Sequence, residues 1–199
     1  SIIDKGFAYE ANGDVYFNIS KFENYGKLSN QSIDSMLANH RVELNPNKKN
    51  DLDFALWKKA KDNEPYWDSP WGRGRPGWHI ECSVMSCNHL GSNFDIHGGG
   101  KDLIFPHHEN EIAQSECINE GNFANYWLHN GLININQEKM SKSIGNIINI
   151  RDALEKWDFN LLRIFFLSHH YRTPVDLSEE RLIEIEKSIK KIIKKINTN

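Results

Sequence analysis

The chain has 199 residues, 39% hydrophobic and 11% aromatic, enough for one domain with a proper core or one domain plus a small insert, which excludes wholesale disorder. A net charge of −3 supplies no global positive field, so any contact with nucleic acid must come from local basic patches. There is no apolar run of about 18 residues and no leader pattern at Ser1-Ile2-Ile3-Asp4-Lys5, which excludes a membrane-spanning helix and leads us to expect a soluble, cytoplasmic protein.

The first residues read as the end of a helix stopped at Gly6, and the absence of an initial Met makes the chain read as an internal piece of a longer protein. Phe7-Ala8-Tyr9-Glu10 and Val15-Tyr16-Phe17-Asn18 flank Asn12-Gly13, a strong hairpin signal. A short helix is predicted over residues 32–38, a loop rich in Asn and Lys over 45–51, and a strand at Phe54-Ala55-Leu56-Trp57. Residues 64–77, with three prolines and three glycines, read as an irregular connector.

An amphipathic helix follows over 78–90, with Ile80, Val84 and Cys87 on one side and Gly91 as its stop. Asn93-Phe94-Asp95-Ile96-His97 reads as a strand, Gly98-Gly99-Gly100 as a turn, and residues 101–118 as one helix. Strand, glycine turn and helix is the order in which α/β sheets present ligands at their carboxyl edge. Strands at 126–129 and 132–135 lead into a lysine loop, and helices over 151–157, 160–169 and 178–196 close the chain.

His107 and Glu111 stand four apart, so a helix puts them on one face, as ligands of one ion or as a solvated surface pair. Cys82 adds a soft third donor, and zinc tolerates mixed thiolate, imidazole and carboxylate coordination. The three cysteines, Cys82, Cys87 and Cys117, are an odd number without a secretion signal, which favours reduced thiols or a metal over disulfides. A fourth ligand would be Cys87, Cys117 or a residue before Ser1, and the missing N-terminus favours the last. His108-Glu109 fails as a zincin helix because position 112 is Ile, and Gly98-Gly99-Gly100-Lys101 lacks the P-loop spacing.

The three glycines serve either a tight turn or close approach of a ligand, and Asp102 either caps a helix or accepts a ribose hydroxyl. Lys139 and Lys142, around Met140-Ser141 and before Ser143, suit the charge that builds on a leaving phosphate group, though a charged hairpin tip looks the same. In the last helix Leu182, Ile185, Ile189, Ile192, Ile193 and Ile196 form an apolar stripe. The lysines 187, 190, 191, 194 and 195 of that helix form either a solvated face or a local basic patch for RNA.

Lys139-Met140-Ser141-Lys142-Ser143 resembles the KMSKS signature of class I aminoacyl-tRNA synthetases. Gly77-Trp78-His79-Ile80-Glu81-Cys82, together with the long run from Phe94 to Gln114, closely resembles the cysteinyl-tRNA synthetase family. The resemblance implies an α/β fold: the second half of a Rossmann-like catalytic domain (residues 66–150), a small β-containing connective insert (1–65) and a helical stem-contact region (151–199). It implies that Cys82, His107 and Glu111 are three of four zinc ligands, the fourth being a cysteine in the first Rossmann half together with the HIGH signature. It implies that Trp78 and His97 line the amino-acid pocket, that Gly99, Gly100 and Asp102 receive adenosine, and that Lys139 and Lys142 hold the phosphates of ATP, with Mg2+. Expected partners are cysteine, ATP and cysteine tRNA, with a monomeric parent. Two alternatives remain: the related cysteine ligase of mycothiol synthesis, which joins cysteine to an amino sugar, and a catalytically silent zinc- or RNA-binding piece.

Overall fold

The computed structural model describes residues 1–39, 45–135, 137–141 and 144–197. The chain forms two compact units, one made of Ser1–His97 and Asp102–Leu128, the other of Gly98–Lys101 and His129–Asn199.

In the first unit the Asn-Gly signal is realised as a hairpin of β1 (Ala8–Ala11) and β2 (Asp14–Phe17). Asn12 and Gly13 take φ of 56° and 86°, the pair of positive values that a tight two-residue turn requires. Strand β3 (Phe54–Lys59) pairs antiparallel with β2, and β4 (Gly74–Pro76) pairs antiparallel with β3. The connector predicted to be irregular therefore contributes an edge strand. Its proline can sit there because an outer strand has a side on which no amide is asked to donate.

Helix α1 (Ile33–Asn39) matches the predicted short helix. The apolar core joins Val15, Phe17, Ile19, Phe54 and Leu56 to Tyr25 and Met36 and reaches Ala113 and Cys117. Phe17 stacks on Phe54 with ring centroids 4.9 Å apart. Residues 2–6 form a turn that ends at Gly6, whose φ of 80° is the left-handed value of a helix stop. It is closed by Lys5 N–H to Ser1 O, Gly6 N–H to Ile3 O and Phe7 N–H to Ile2 O, the nested bonds with which a helix ends.

Helix α2 (Trp78–Leu90) has the predicted bounds and stops at Gly91, whose N–H donates to Cys87 O. Its predicted apolar side is divided, however. Ile80 packs toward the strand core, Cys87 packs toward Phe94 and Phe123, and Val84 is exposed. Strand β5 (Phe94–Gly100) runs through all three glycines, so they are extended backbone and not a turn. It pairs with β6 (Ala124–Asn130).

The single helix predicted over 101–118 is broken. A short 3-10 turn at Lys101–Leu103 leads to an irregular turn at Ile104–His108, where Phe105 is extended at φ −135°, ψ 133°, and α3 (Glu109–Glu116) starts only after it. Pro106 is the cause: its ring drives the preceding residue out of the helical region and removes a donor.

In the second unit β7 (Ile133–Ile135) pairs antiparallel with β8 (Glu138–Lys139) and parallel with β9 (Val175–Asp176). Helix α4 (Ile150–Lys156) is capped by Asn149 and α5 (Phe159–Leu167) by Asp158, each side chain accepting a first-turn amide. Leu161 and Phe165 of α5 pack with Val175, Leu177 and Leu182, the last from α6 (Glu179–Asn197). Ile185 and Ile189 continue that contact, whereas Ile192, Ile193 and Ile196 are exposed, so the predicted stripe is buried only in its first half.

Phe17 is fully buried and stacked, so Phe17→Ala should destabilise the first unit by about 3–5 kcal/mol, read as a lowered urea midpoint with little change in slope.

Candidate metal centre

Three pieces of the first unit converge on one buried carboxylate. Helix α2 brings Cys82, the turn after Pro106 brings His107 and His108, and α3 brings Glu111, which has no exposed surface. One donor atom each from Cys82, His107 and Glu111 lie within 4.8 Å of one another, and the same holds for His97, His108 and Glu111. The i,i+4 relation survives the broken helix, because His107 stands one turn before Glu111 on a backbone already helical at His108.

His107 Nε2 lies 2.9 Å from Glu111 Oε1, and His97 Nε2 lies 2.9 Å from Glu111 Oε2. His108 Nε2 is 4.0 Å from Oε1. The second ring nitrogen of His107, Nδ1, is 2.7 Å from His79 Nδ1. Trp78 lies over His107 with ring centroids 4.4 Å apart, and Trp127 meets His97 edge-on at 4.8 Å. His108, Phe94 and Phe123 also pack on His97, with ring centroids 4.7, 5.6 and 5.7 Å away.

Burial alone would raise the Glu111 carboxyl, but the imidazoles of His107 and His97 outweigh it and hold it down at about 2. Desolvation, and then the neighbouring His107, push His79 down to about 4. Burial raises the Cys82 thiol, and the negative charges of Glu111 and Glu81 raise it further. A thiol beside a buried carboxylate stays protonated unless a cation joins them.

The donor set fits a zinc ion. Glu111 Oε1 is buried with the His107 ring 2.9 Å away, close enough to lower the carboxyl by charge but off the axis of a hydrogen bond, so two donor atoms are brought to one point. Metal bonds of about 2.0–2.3 Å put neighbouring ligands of a tetrahedral site roughly 3.5 Å apart, within reach of the spacing found here by small side-chain rotations. A thiolate, an imidazole and a carboxylate together suit zinc better than calcium or magnesium.

The structure thus brings together Cys82, His107 and Glu111, with His97 on the far carboxylate oxygen and Trp78 against His107. Cys87 and Cys117, the alternative fourth ligands, stand elsewhere: Cys87 packs on the Phe94 cluster, and Cys117 is buried with its Sγ donating to Gln114 O. Gly99 and Gly100 lie in β5, and Asp102 is exposed in the short turn that follows. Lys139 is on β8, but its side chain and all of Lys142 lie outside the described residues.

Sequence reasoning does not single out His79, His108 and Trp127 as parts of the site. His79 is visible only as a second aromatic-type residue on the opening turn of α2. His108 belongs to a pattern that fails as a zincin and so draws no attention by spacing. The clearest signal is the polarity of α3, where Glu109, Asn110, Glu111, Gln114 and Ser115 are all buried. A helix that buries so many polar groups needs specific partners for them.

Residues 1–187 match the family model for the tRNA synthetases class I (C) catalytic domain. The chain belongs to this family. It is 59% identical over 191 residues to the cysteine--tRNA ligase of Geobacter metallireducens, covering 96% of this chain and 39% of that protein. It is 60% identical over 191 residues to that of Syntrophobacter fumaroxidans, with the same coverages, and 57% identical to that of Carboxydothermus hydrogenoformans, covering 96% and 41%. The chain thus spans about two fifths of the length of these relatives.

The His79 shift has a pH signature. Its folded pKa lies below the usual value near 6.5, so the folded state binds fewer protons and stability falls as pH drops from about 6.5 towards about 4. One such proton gives a slope of at most about 1.4 kcal/mol per pH unit. Chemical unfolding across that window should show the loss, and His79→Gln should flatten it.

Proposed function

We propose that this chain is the zinc-bearing part of a cysteine--tRNA ligase, which activates cysteine with ATP and transfers it to the 3′ end of cysteine tRNA. The convergence of Cys82, His107 and Glu111 on one buried point, in a chain of this family, is the observation that carries the reading. In this reading residues 66–150 are the second half of the Rossmann-like catalytic domain, residues 1–65 the connective insert and residues 151–199 the helical stem-contact region.

Cys82, His107 and Glu111 hold zinc, with a fourth ligand from elsewhere in the full-length protein. Zinc bound there supplies a Lewis acid that keeps a substrate thiol ionised, which a serine hydroxyl cannot match as a ligand. His79 orients the His107 ring through Nδ1, and His97 holds the far oxygen of Glu111. Trp78 and His97 line the amino-acid pocket, their rings excluding water from the substrate side. Such a site rejects serine through lost ligation and so dispenses with an editing step.

Gly99, Gly100 and Asp102 receive the adenosine, since extended glycine backbone lets a ligand approach closely. Lys139 and Lys142 stabilise the charge that grows on pyrophosphate as the cysteine carboxylate attacks the α-phosphate, with Mg2+ on the phosphates. The lysines of α6 offer a local basic patch to RNA phosphates.

In the full-length parent, Lys142→Ala should abolish cysteine-dependent exchange of pyrophosphate into ATP; retained exchange would remove that residue from the chemistry. Labelled cysteine and ATP should charge cysteine tRNA; transfer only to an amino sugar would assign the same fold and activation step to mycothiol synthesis instead. The 199-residue chain alone, with three ligands, should hold zinc weakly, and a stoichiometric ion surviving chelator dialysis would overturn the assignment of the fourth ligand.

A further inference from the structure

Glu109 has no exposed surface, and its carboxylate is used entirely by backbone amides of a loop at least 80 residues away in sequence. Gly26 N–H donates to Oε1 at 2.9 Å, Ser29 N–H to Oε2 at 2.9 Å, and Leu28 N–H to Oε1 at 3.5 Å. On either side of that contact the Tyr25 hydroxyl donates to Asn110 Oδ1 and Lys27 pairs with Glu116. The loop is tightly shaped: Gly26 has φ 99°, and a Cβ there would collide with the Gln31 carbonyl oxygen. A single stretch, residues 25–29, therefore grips α3 at its first turn and again two turns on.

The grip bears on the metal centre because of where it falls. Glu109 stands two residues before Glu111, and side chains two apart on a helix point in different directions. Glu109 thus faces the loop while Glu111 faces His107 and His97. Helix α3 has only eight residues, no side-chain cap, and an irregular turn immediately before it. Little within the helix itself can fix the height or rotation of its opening turn. The amides of the loop can, since a buried carboxylate with three backbone donors has few alternative positions.

We propose that Glu109 is a positioning residue for the metal centre: by binding the 25–29 loop it sets the first turn of α3, and so the place of Glu111 relative to His107 and Cys82. This rests on the zinc reading above. Residues 25–29 lie within the segment read as the insert, so that segment would take part in holding the ion without touching it.

The test uses the full-length protein loaded with zinc, comparing wild type with Glu109→Gln, which keeps the shape but replaces one acceptor oxygen by an amide donor. Zinc affinity by chelator competition should fall roughly 10–100-fold, the range seen when partners behind metal ligands are removed. The KM for cysteine should rise while the KM for ATP stays within about twofold, and amide exchange should quicken at Gly26 and Ser29. Faster exchange and a lower Tm with unchanged zinc affinity and unchanged KM for cysteine would mean that Glu109 only pins the loop, and the proposal would fail. If Glu109→Gln shows no cooperative unfolding, Tyr25→Phe tests the same grip, since it keeps the ring and removes only the hydroxyl contact to Asn110. A zinc affinity lowered about threefold supports the proposal, and no change overturns it. Wild-type protein that holds no zinc would defeat the reading of the centre itself, and this proposal with it.

Discussion

The site depends on a carboxylate kept ionised where water cannot reach it. Glu111 is fully buried, and burial alone would drive its proton back on; two imidazoles, one on each oxygen, reverse that. Everything nearby follows from supplying those imidazoles. Strand β5 must carry His97, the turn after Pro106 must present His107, and α2 must lie close enough for Cys82 and His79 to join them. A buried charge without partners costs several kcal/mol, so the three elements are fixed by chemistry as much as by packing.

That demand explains why α3 breaks the usual pattern of an interior helix. Its buried positions are mostly polar, and four of them are held by specific contacts, while Ser115 Oγ and Gln114 Nε2 have no hydrogen-bond partner among the described residues. Glu109 and Asn110 face the 25–29 loop, Glu111 faces the imidazoles, and Gln114 Oε1 accepts from the Ser83 hydroxyl of α2. The apolar contribution reduces to Ile112, Ala113 and the neighbouring Cys117. Such a helix gains little from the hydrophobic effect, and its register comes from hydrogen bonds that tolerate few substitutions.

Much of this is legible in the sequence, for local reasons. Asn12-Gly13 specifies its turn through backbone angles that few other pairs accept, and Gly91 ends α2 for a similar reason. The spacing of His107 and Glu111 survives because it is a property of one helical turn. What escapes is non-local. Strand β4 exists because β3 lies beside it, and the glycines after His97 are extended as part of a strand that pairs with β6. No residue in either stretch declares this by itself. The broken helix is different: the Phe105-Pro106 step states it openly, and helical periodicity on both sides obscures it. His79 escapes because a ring behind His107 leaves no spacing rule, only a contact made in three dimensions.

The two Nδ1 atoms of His79 and His107, 2.7 Å apart, leave room for one hydrogen between them. With His79 pushed toward neutrality, the pair has a choice of tautomer, and the choice decides what the other end of His107 offers. When His107 holds that hydrogen, its Nε2 presents a bare lone pair to the bare oxygen Glu111 Oε1 at 2.9 Å. Two electron-rich atoms facing one another in a buried site repel, and a positive charge placed between them relieves it. The tautomer with the hydrogen on His107 suits a metal cation between Nε2 and Oε1, and the one with it on His79 leaves His107 Nε2 to donate to Glu111.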